Sequence, residues 1–218
     1  MIHKLQIMIA KLLLTSLLFL SVPVFAADLI IGSETTYTVQ KGDNLLLIGA
    51  KLGVFWRNIP KDNNLDPNKP LVAGAILKIN TRKIVPKVME DGIVINIPDR
   101  TLYLFKGGKL TAIPVGLGVL TENSIADWRT PTGKFTIVNK RKDPSWRVPE
   151  SIQREMELQG KEVEEMVPPG PDNPLGRYAL DTSIPGVLIH ETTKPRSVYR
   201  YLSHGCIRVL PEHMEELY

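Results

Sequence analysis

Three side chains near the end of the 218-residue chain could together carry out nucleophilic chemistry. They are Cys206, the sole cysteine, and two of the four histidines, His190 and His204. A thiol attacks well only as thiolate, so a catalytic cysteine needs a base or cation nearby, and the base must be held in one orientation. His190 closes the strand-like run VLIH at 187 to 190, where a sheet would fix it. His204 stands two residues before the thiol, and in extended backbone side chains at i and i+2 share a face. The residues alone leave the proton acceptor open between the two. Gly205 lets the backbone approach a substrate closely, and main-chain amides around Cys206 could stabilise the oxyanion of a tetrahedral intermediate. A lone cysteine can equally be a small buried hydrophobe, and a lone histidine a satisfied core residue. Metal binding is the weaker alternative, because His190 and Cys206 are 16 positions apart and match no compact zinc spacing. No metal or organic cofactor is expected.

The elements that must position these groups read as mainly β. From Gly92 to Val138 short apolar runs alternate with polar residues: IVINI, TLYLF, LTAIPVGLG and KFTIV, separated by Pro-Asp, Gly-Gly and Pro-Thr-Gly turns. That is the pattern of antiparallel strands. A Glu-rich, helix-compatible stretch from Ser151 to Met166 interrupts it, ended by Val167-Pro168-Pro169-Gly170-Pro171, which cannot continue a helix. It reads as an insertion beside the sheet, either a cap over the site or a solvated helix packed on one side.

Upstream, Tyr37 to Asn80 has its own punctuation. A strand-like YTV leads to a turn at Lys41-Gly42-Asp43, a helix over Asn44 to Leu52, a second over about Val54 to Lys61, and a closing strand ILKI at 76 to 79. Asp43 or Asn44 would cap the first helix, because a short side-chain oxygen accepts from free first-turn amides. The order is βααβ. Residues 81 to 89, with Arg82, Lys83, Pro86 and Lys87, read as a linker.

The first 26 residues read as a secretory signal peptide: Lys4 and Lys11 precede an apolar run from Leu12 to Val22, and Val24-Phe25-Ala26 fits a small-residue cleavage site. The run is shorter than the ~20 apolar residues a spanning helix needs. In an exported chain a single cysteine has no internal disulfide partner, so it is buried, paired between molecules or used. The formal charge of +4 falls to +2 without Lys4 and Lys11, which excludes a nucleic-acid signature and suits an anionic polymer.

Two resemblances bear on these readings. YTVQKGDNLLLIGAKLGV and NNLDPNKPLVAGAILKI resemble a LysM module, a small peptidoglycan-binding fold, over 37 to 80. IHET followed by SHGCIR at 203 to 208 resembles the signature of the YkuD-type L,D-transpeptidases. That match extends upstream through IVINIPDRTLYLF, WRTPTGKF and VPPGPDNPLGRYAL and covers roughly 90 to 218; the whole chain is most similar to the ErfK/YbiS-like periplasmic subgroup. The resemblance implies a β-sandwich-like catalytic fold with a helical insertion. It implies Cys206 as nucleophile, His190 as general base oriented by the main-chain carbonyl of Glu191, and His204 as a neighbour supporting the thiolate. Ser203, Gly205 and Arg208 match the motif and should shape the pocket or bind substrate carboxylates, as the fork of an arginine can. Glu191 and Tyr199 stand where relatives commonly have glycine, which bears on pocket width and acceptor choice, and the resemblance places Glu191 with Ser203, Gly205 and Arg208 among the substrate-binding or oxyanion residues. Relatives also usually continue through another strand, whereas this chain stops at Tyr218.

The implied substrates are peptidoglycan stem peptides and glycan strands in the periplasm, with an amine as acyl acceptor. That amine would be another stem's diaminopimelate or a lysine of an outer-membrane lipoprotein; water would give an L,D-carboxypeptidase. A wall-binding protein with an inactive catalytic domain is the alternative from another class.

Overall fold

A computed structural model describes residues 30–86, 89–120 and 127–218; the leader expected over residues 1 to 26 lies outside them. Among the described residues no helix is long and apolar enough to cross a membrane.

The chain starts with β1 (Ile30–Ile31) and β2 (Glu34–Thr38), then α1 (Leu45–Leu52), α2 (Asn58–Asp62) and β3 (Ile76–Asn80). The β2 and β3 strands pair antiparallel, Tyr37 opposite Leu77, and close the βααβ unit. Asn44 caps α1 by accepting from the Leu47 amide at 3.0 Å. Asp43 is occupied otherwise: it accepts from the Tyr37 hydroxyl at 2.6 Å and from Lys51 at 3.0 Å. Val39, Leu45, Ile48, Ile59, Leu77 and Ile79 form the module's own core. The second helix is shorter than its pattern suggests, because residues 54 and 55 are irregular before the turn at Trp56 and Arg57.

The stretch read as a linker is partly structured. It contains β4 (Lys83–Ile84), which pairs with β1, and Val85 is buried with Tyr103 and Phe105. The polar residues there conceal an alternation that hands one valine to the following domain's core.

That domain contributes β5 (Gly92–Asn96), β6 (Thr101–Lys106), β7 (Lys109–Gly118), β8 (Ile137–Lys142), β9 (Trp146–Arg147), α3 (Glu150–Leu158), β10 (Met166–Val167), β11 (Tyr178–Thr182) and β12 (Leu188–Glu191). A 3-10 turn at Pro195–Ser197, β13 (Tyr201–Ser203), β14 (Ile207–Val209) and α4 (Pro211–Leu217) complete it. The main sheet runs β5-β6-β7-β14-β12-β11-β8, with β13 beside β7. It is one curled, mixed sheet: β5, β6 and β7 pair antiparallel as the 92 to 118 pattern implies, while β12 pairs parallel with β14 and β13 with β7. Leu102, Ile113, Val115, Leu117, Leu180, Ile189, Ile207, Val209 and Met214 fill its core. The expected insertion helix is confined to α3. Residues 159 to 165 are irregular, and Met166–Val167 returns to pair with Trp146–Arg147, so the insertion is a helix closed by a two-strand ribbon.

The module packs on the catalytic domain. Ala50 and Phe55 meet Val198, Tyr199 and Leu210. Arg100 lies over the rings of Phe55, Tyr199 and Tyr201, with centroids 5.5, 4.6 and 5.1 Å away.

Candidate active site

Two neighbouring strands carry the chemistry. On β12 the side chains alternate, so Leu188 and His190 face a cavity while Ile189 enters the core. Across the parallel pairing His190 is in register with Arg208 and Ile189 with Ile207. Cys206, immediately before β14, therefore falls diagonally beside His190 on the same face. Both line a cavity of about 510 Å³ together with Arg208, Ser203 and His204. Sixteen positions of sequence become one strand spacing.

His190 is 3% exposed, and its Nδ1 lies 2.6 Å from the Glu191 carbonyl oxygen. A carbonyl can only accept, so Nδ1 carries the hydrogen and Nε2 is left as an acceptor. Burial draws the imidazole down from 6.5 to about 4, partly opposed by the Glu191 carbonyl. It is therefore neutral at pH 7, the form a base requires. Burial likewise pushes the Cys206 thiol up, while a backbone interaction with Leu188 and the Arg208 cation act in the opposite direction. The thiol sulfur lies 3.6 Å from the Gly186 carbonyl. The resting pair is thus neutral thiol beside neutral imidazole, poised to transfer a proton during attack rather than before it. The Arg208 guanidinium acts on the thiol through its charge, and burial lowers its own proton affinity.

Ser203 is 1% exposed and ties the turn: its hydroxyl donates to the Cys206 carbonyl at 2.5 Å and accepts from the Gly205 amide at 3.2 Å. Gly205 has φ +105°, a left-handed conformation that L side chains rarely adopt. This bend ends the extended backbone at Ser203, so strand alternation does not set His204 and Cys206 side by side as expected, although both line the cavity. His204 instead meets Trp128 edge-on, ring centroids 4.2 Å apart, and its Nε2 lies 3.0 Å from Glu155 Oε2 on α3.

The Glu191 side chain does not line the cavity, which corrects the expectation that it contacts substrate. One step along the strand from His190, it points to the opposite face, packs against Gly176 and lies 3.8 Å from Arg177 Nε. Only its carbonyl reaches the site. Tyr199 also stands away from the cavity. Its φ is +59°, the left-handed backbone that explains glycine there, and its hydroxyl receives a hydrogen bond from Lys83 at 3.0 Å and donates to Asp99 at 3.2 Å.

Sequence reasoning missed Thr130, Trp128 and Glu155. Thr130 Oγ1 donates to the Gly205 carbonyl at 3.0 Å and accepts from the Gly118 amide at 2.8 Å, joining β7 to the turn that carries the cysteine. The WRTPTG string pointed to the segment but not to this role. Glu155 was hidden among the other glutamates of its helix. The insertion does cover the site: Ile152, Glu155 and Met156 of α3 line the cavity, and Pro149, Ile152, Gly186 and His204 also border an adjoining chamber of about 750 Å³. Among the described residues no cluster of His, Cys, Asp and Glu could hold a metal ion.

A curled sheet carries a cysteine and a carbonyl-held histidine on one cavity, an arrangement chemically suited to acyl transfer. The chain belongs to the YkuD family: the family model for the L,D-transpeptidase catalytic domain matches residues 90–218, and that for the LysM domain matches 37–80. It is 31% identical to the probable L,D-transpeptidase YcfS of Escherichia coli K12 over 199 residues, 88% of this chain and 61% of that protein. It is 33% identical to the probable L,D-transpeptidase YbiS of the same strain over 196 residues, 87% of this chain and 61% of that protein. A third relative, the probable L,D-transpeptidase ErfK/SrfK of Salmonella typhimurium, is 32% identical over 197 residues, 87% of this chain and 60% of its own. The chain thus spans about three fifths of the length of these relatives.

Proposed function

We propose that this protein, exported to the periplasm by a cleaved leader over residues 1 to 26, is a peptidoglycan L,D-transpeptidase with Cys206 as nucleophile and His190 as base. The observation that carries the reading is the short Nδ1 contact of His190 with the Glu191 carbonyl, which makes Nδ1 the donor and leaves Nε2 as the ring's acceptor, in a cavity that His190 lines together with Cys206. The thiol proton passes to Nε2 as sulfur attacks the carbonyl at the L-centre of diaminopimelate in a tetrapeptide stem. The carbon–nitrogen bond breaks, the D-Ala amine takes the proton from the imidazolium, and a thioester remains. An acceptor amine then attacks the thioester, surrenders its proton to His190, and the sulfur leaves to be reprotonated. Amides of the 204–206 turn are suited to the oxyanion, and the Arg208 guanidinium to a stem carboxylate. His204 supports the thiolate from the turn.

The LysM module would hold the glycan; its polar groove of about 320 Å³ is lined by Asn58, Lys61, Asp62, Lys78 and Asn80 among others. The acceptor is another stem's diaminopimelate or a lipoprotein lysine. The test is mass spectrometry of tetrapeptide muropeptides incubated with the mature protein, with and without a lysine-bearing lipoprotein peptide. Dimers or conjugates that vanish in Cys206→Ala are expected, and their identity names the acceptor. Unchanged tetrapeptides in both arms would overturn the reading in favour of a wall-binding protein, and tripeptides alone would make it a carboxypeptidase.

A further inference from the structure

The module is joined to the two stretches that flank the catalytic turn. Val198 and Tyr199 precede β13 and Leu210 follows β14, and these three pack with Ala50 and Phe55 of the module. Ala50, Val198, Tyr199 and Leu210 are each less than a tenth exposed. Cys206 lies between the two stretches, on the turn that links β13 to β14. The turn after α1 closes on β7 as well, since a Cβ at Gly53 would stand 3.1 Å from Pro114 Cγ. Polar ties run alongside. Lys83, with a side chain 10% exposed, reaches Asp99 at 3.1 Å, and both bond the Tyr199 hydroxyl.

Two residues at this seam hold a backbone that L side chains rarely adopt. Arg100 has φ +52° and Tyr199 φ +59°, and the Arg100 guanidinium lies 4.6 Å from the Tyr199 ring centroid. Arg100 Nε is buried without a hydrogen-bond partner among the described residues, so the rings of Phe55, Tyr199 and Tyr201 grip the guanidinium. Strained backbone persists only where the surrounding structure over-determines it, and it gathers where function needs one arrangement.

The path from the seam to the thiol is continuous. The Tyr199 amide donates to the Val115 carbonyl at 3.0 Å and the Leu117 amide to the Arg200 carbonyl at 2.9 Å. From there β13 runs beside β7 to Ser203, whose hydroxyl bonds the Cys206 carbonyl. On the other side β14 carries the chain from the thiol to Leu210. Cys206 therefore sits at the tip of an excursion whose two feet rest on the module.

We propose that Phe55 is a positioning residue for the cysteine chemistry: with Arg100 and the Val198, Tyr199 and Leu210 cluster, it holds residues 198 to 210 in the arrangement that sets Cys206 for attack. The proposal rests on the reading of Cys206 as nucleophile. It gives the module a role beside wall binding, one that acts even on a substrate with no glycan to hold. Phe55 lies outside the cavity shared by His190 and Cys206, so its effect reaches sulfur only through the fold. Loosening the seam has two opposite consequences. Small reagents reach a formerly buried thiol faster, while the placement that attack on a peptide requires is lost.

The experiment compares the full mature wild type with Phe55→Ala, Phe55→Tyr and Leu77→Val. Leu77 belongs to the module's own core rather than the seam, so its variant reports ordinary destabilisation. One readout is kcat and KM on a tetrapeptide stem stripped of its sugars. The other is the rate of iodoacetamide labelling by intact mass, which reports Cys206 alone because the chain has a single cysteine. In Phe55→Ala, kcat should fall about three- to tenfold with KM changed less than about twofold, and labelling should quicken about three- to tenfold. Phe55→Tyr, which keeps the ring, and Leu77→Val should both match wild type. Labelling of Phe55→Ala at the wild-type rate overturns the proposal, as does unchanged turnover of the stripped peptide or a Leu77→Val variant displaced as far. If wild type leaves the tetrapeptide untouched, the transpeptidase reading fails, and the labelling rates by themselves decide whether the module holds the segment that bears the thiol.

Discussion

His190 should make this protein acid-sensitive by an amount the structure allows to be worked out. In the unfolded chain an imidazole titrates near 6.5, whereas in the fold burial draws it down to about 4. The folded state thus disfavours the proton, and the associated stability is present above the unfolded value and lost as pH falls from about 6.5 through 4. At ~1.4 kcal/mol per tenfold change in proton affinity, the gap corresponds to about 3 kcal/mol, of which about 2 kcal/mol is gone by pH 5. This is a large share of the ~5 to 15 kcal/mol that holds a typical domain together. Carboxylates protonate over the same range, so the informative quantity is the difference from His190→Asn. Asparagine cannot ionise but can still donate to the Glu191 carbonyl. Urea unfolding followed by tryptophan fluorescence, with Trp128 and Trp146 reporting on the catalytic domain, should give wild type and variant different slopes of stability against pH. The variant starts lower, because it leaves a cavity, but loses about 2 kcal/mol less between pH 7 and pH 5. Parallel curves would show that His190 is not held neutral by burial and would remove the argument for it as a ready base.

Two structural variants test the scaffold around the site. A Cβ at Gly118 would lie 2.1 Å from the Trp128 carbonyl oxygen and 2.6 Å from the Thr130 amide nitrogen, both backbone atoms, so Gly118→Ala should cost about 2 to 3 kcal/mol in urea unfolding. Tyr199→Gly relieves a left-handed tyrosine, worth about 1 to 2 kcal/mol, but deletes a buried ring of the kind worth about 3 to 5 kcal/mol. A net loss of about 2 kcal/mol in the same assay is expected, and a stabilised variant would show that backbone strain outweighs the packing between the two domains.

The sequence was most legible where local chemistry decides structure. Asn44 as a helix cap, the βααβ order and the β-hairpins of 92 to 118 follow from short-range propensities and turns. The motif also singled out Cys206 and His190, which the fold brings to one cavity. Legibility failed where a residue's direction depends on a partner far along the chain. Glu191 looked like a pocket residue because it follows His190, but strand alternation turns it away. His204 looked extended with respect to Cys206, but the positive φ of Gly205 bends the chain between them. Tyr199 was suspected of narrowing the pocket, yet it packs beneath the module, a contact across about 150 positions with Ala50. Glu155 carried no signal at all, because its meaning comes only from α3 being folded over a turn 49 residues later.

The parallel pairing of β12 with β14 accounts for much of the site's division of labour. Parallel neighbours require a crossover of a dozen or more residues. Here that crossover holds the 3-10 turn, Tyr199 and β13, and so touches both the module and β7 before returning to the cysteine. His190 sits within the sheet and Cys206 at the edge of the next strand, so their mutual placement is set by ladder hydrogen bonds and a packed core. The remaining walls are different in kind. They come from α3, its two-strand ribbon and irregular loops, which touch the site through side chains rather than ladders. Segments with few backbone ties open at lower free energy than core strands. The reacting pair is accordingly rigid while the walls facing a substrate can yield. On the proposed function two large polymer-borne peptides must reach one sulfur, which that combination suits, and exchanging the insertion should alter which acceptor is used more than how fast the thiol is acylated.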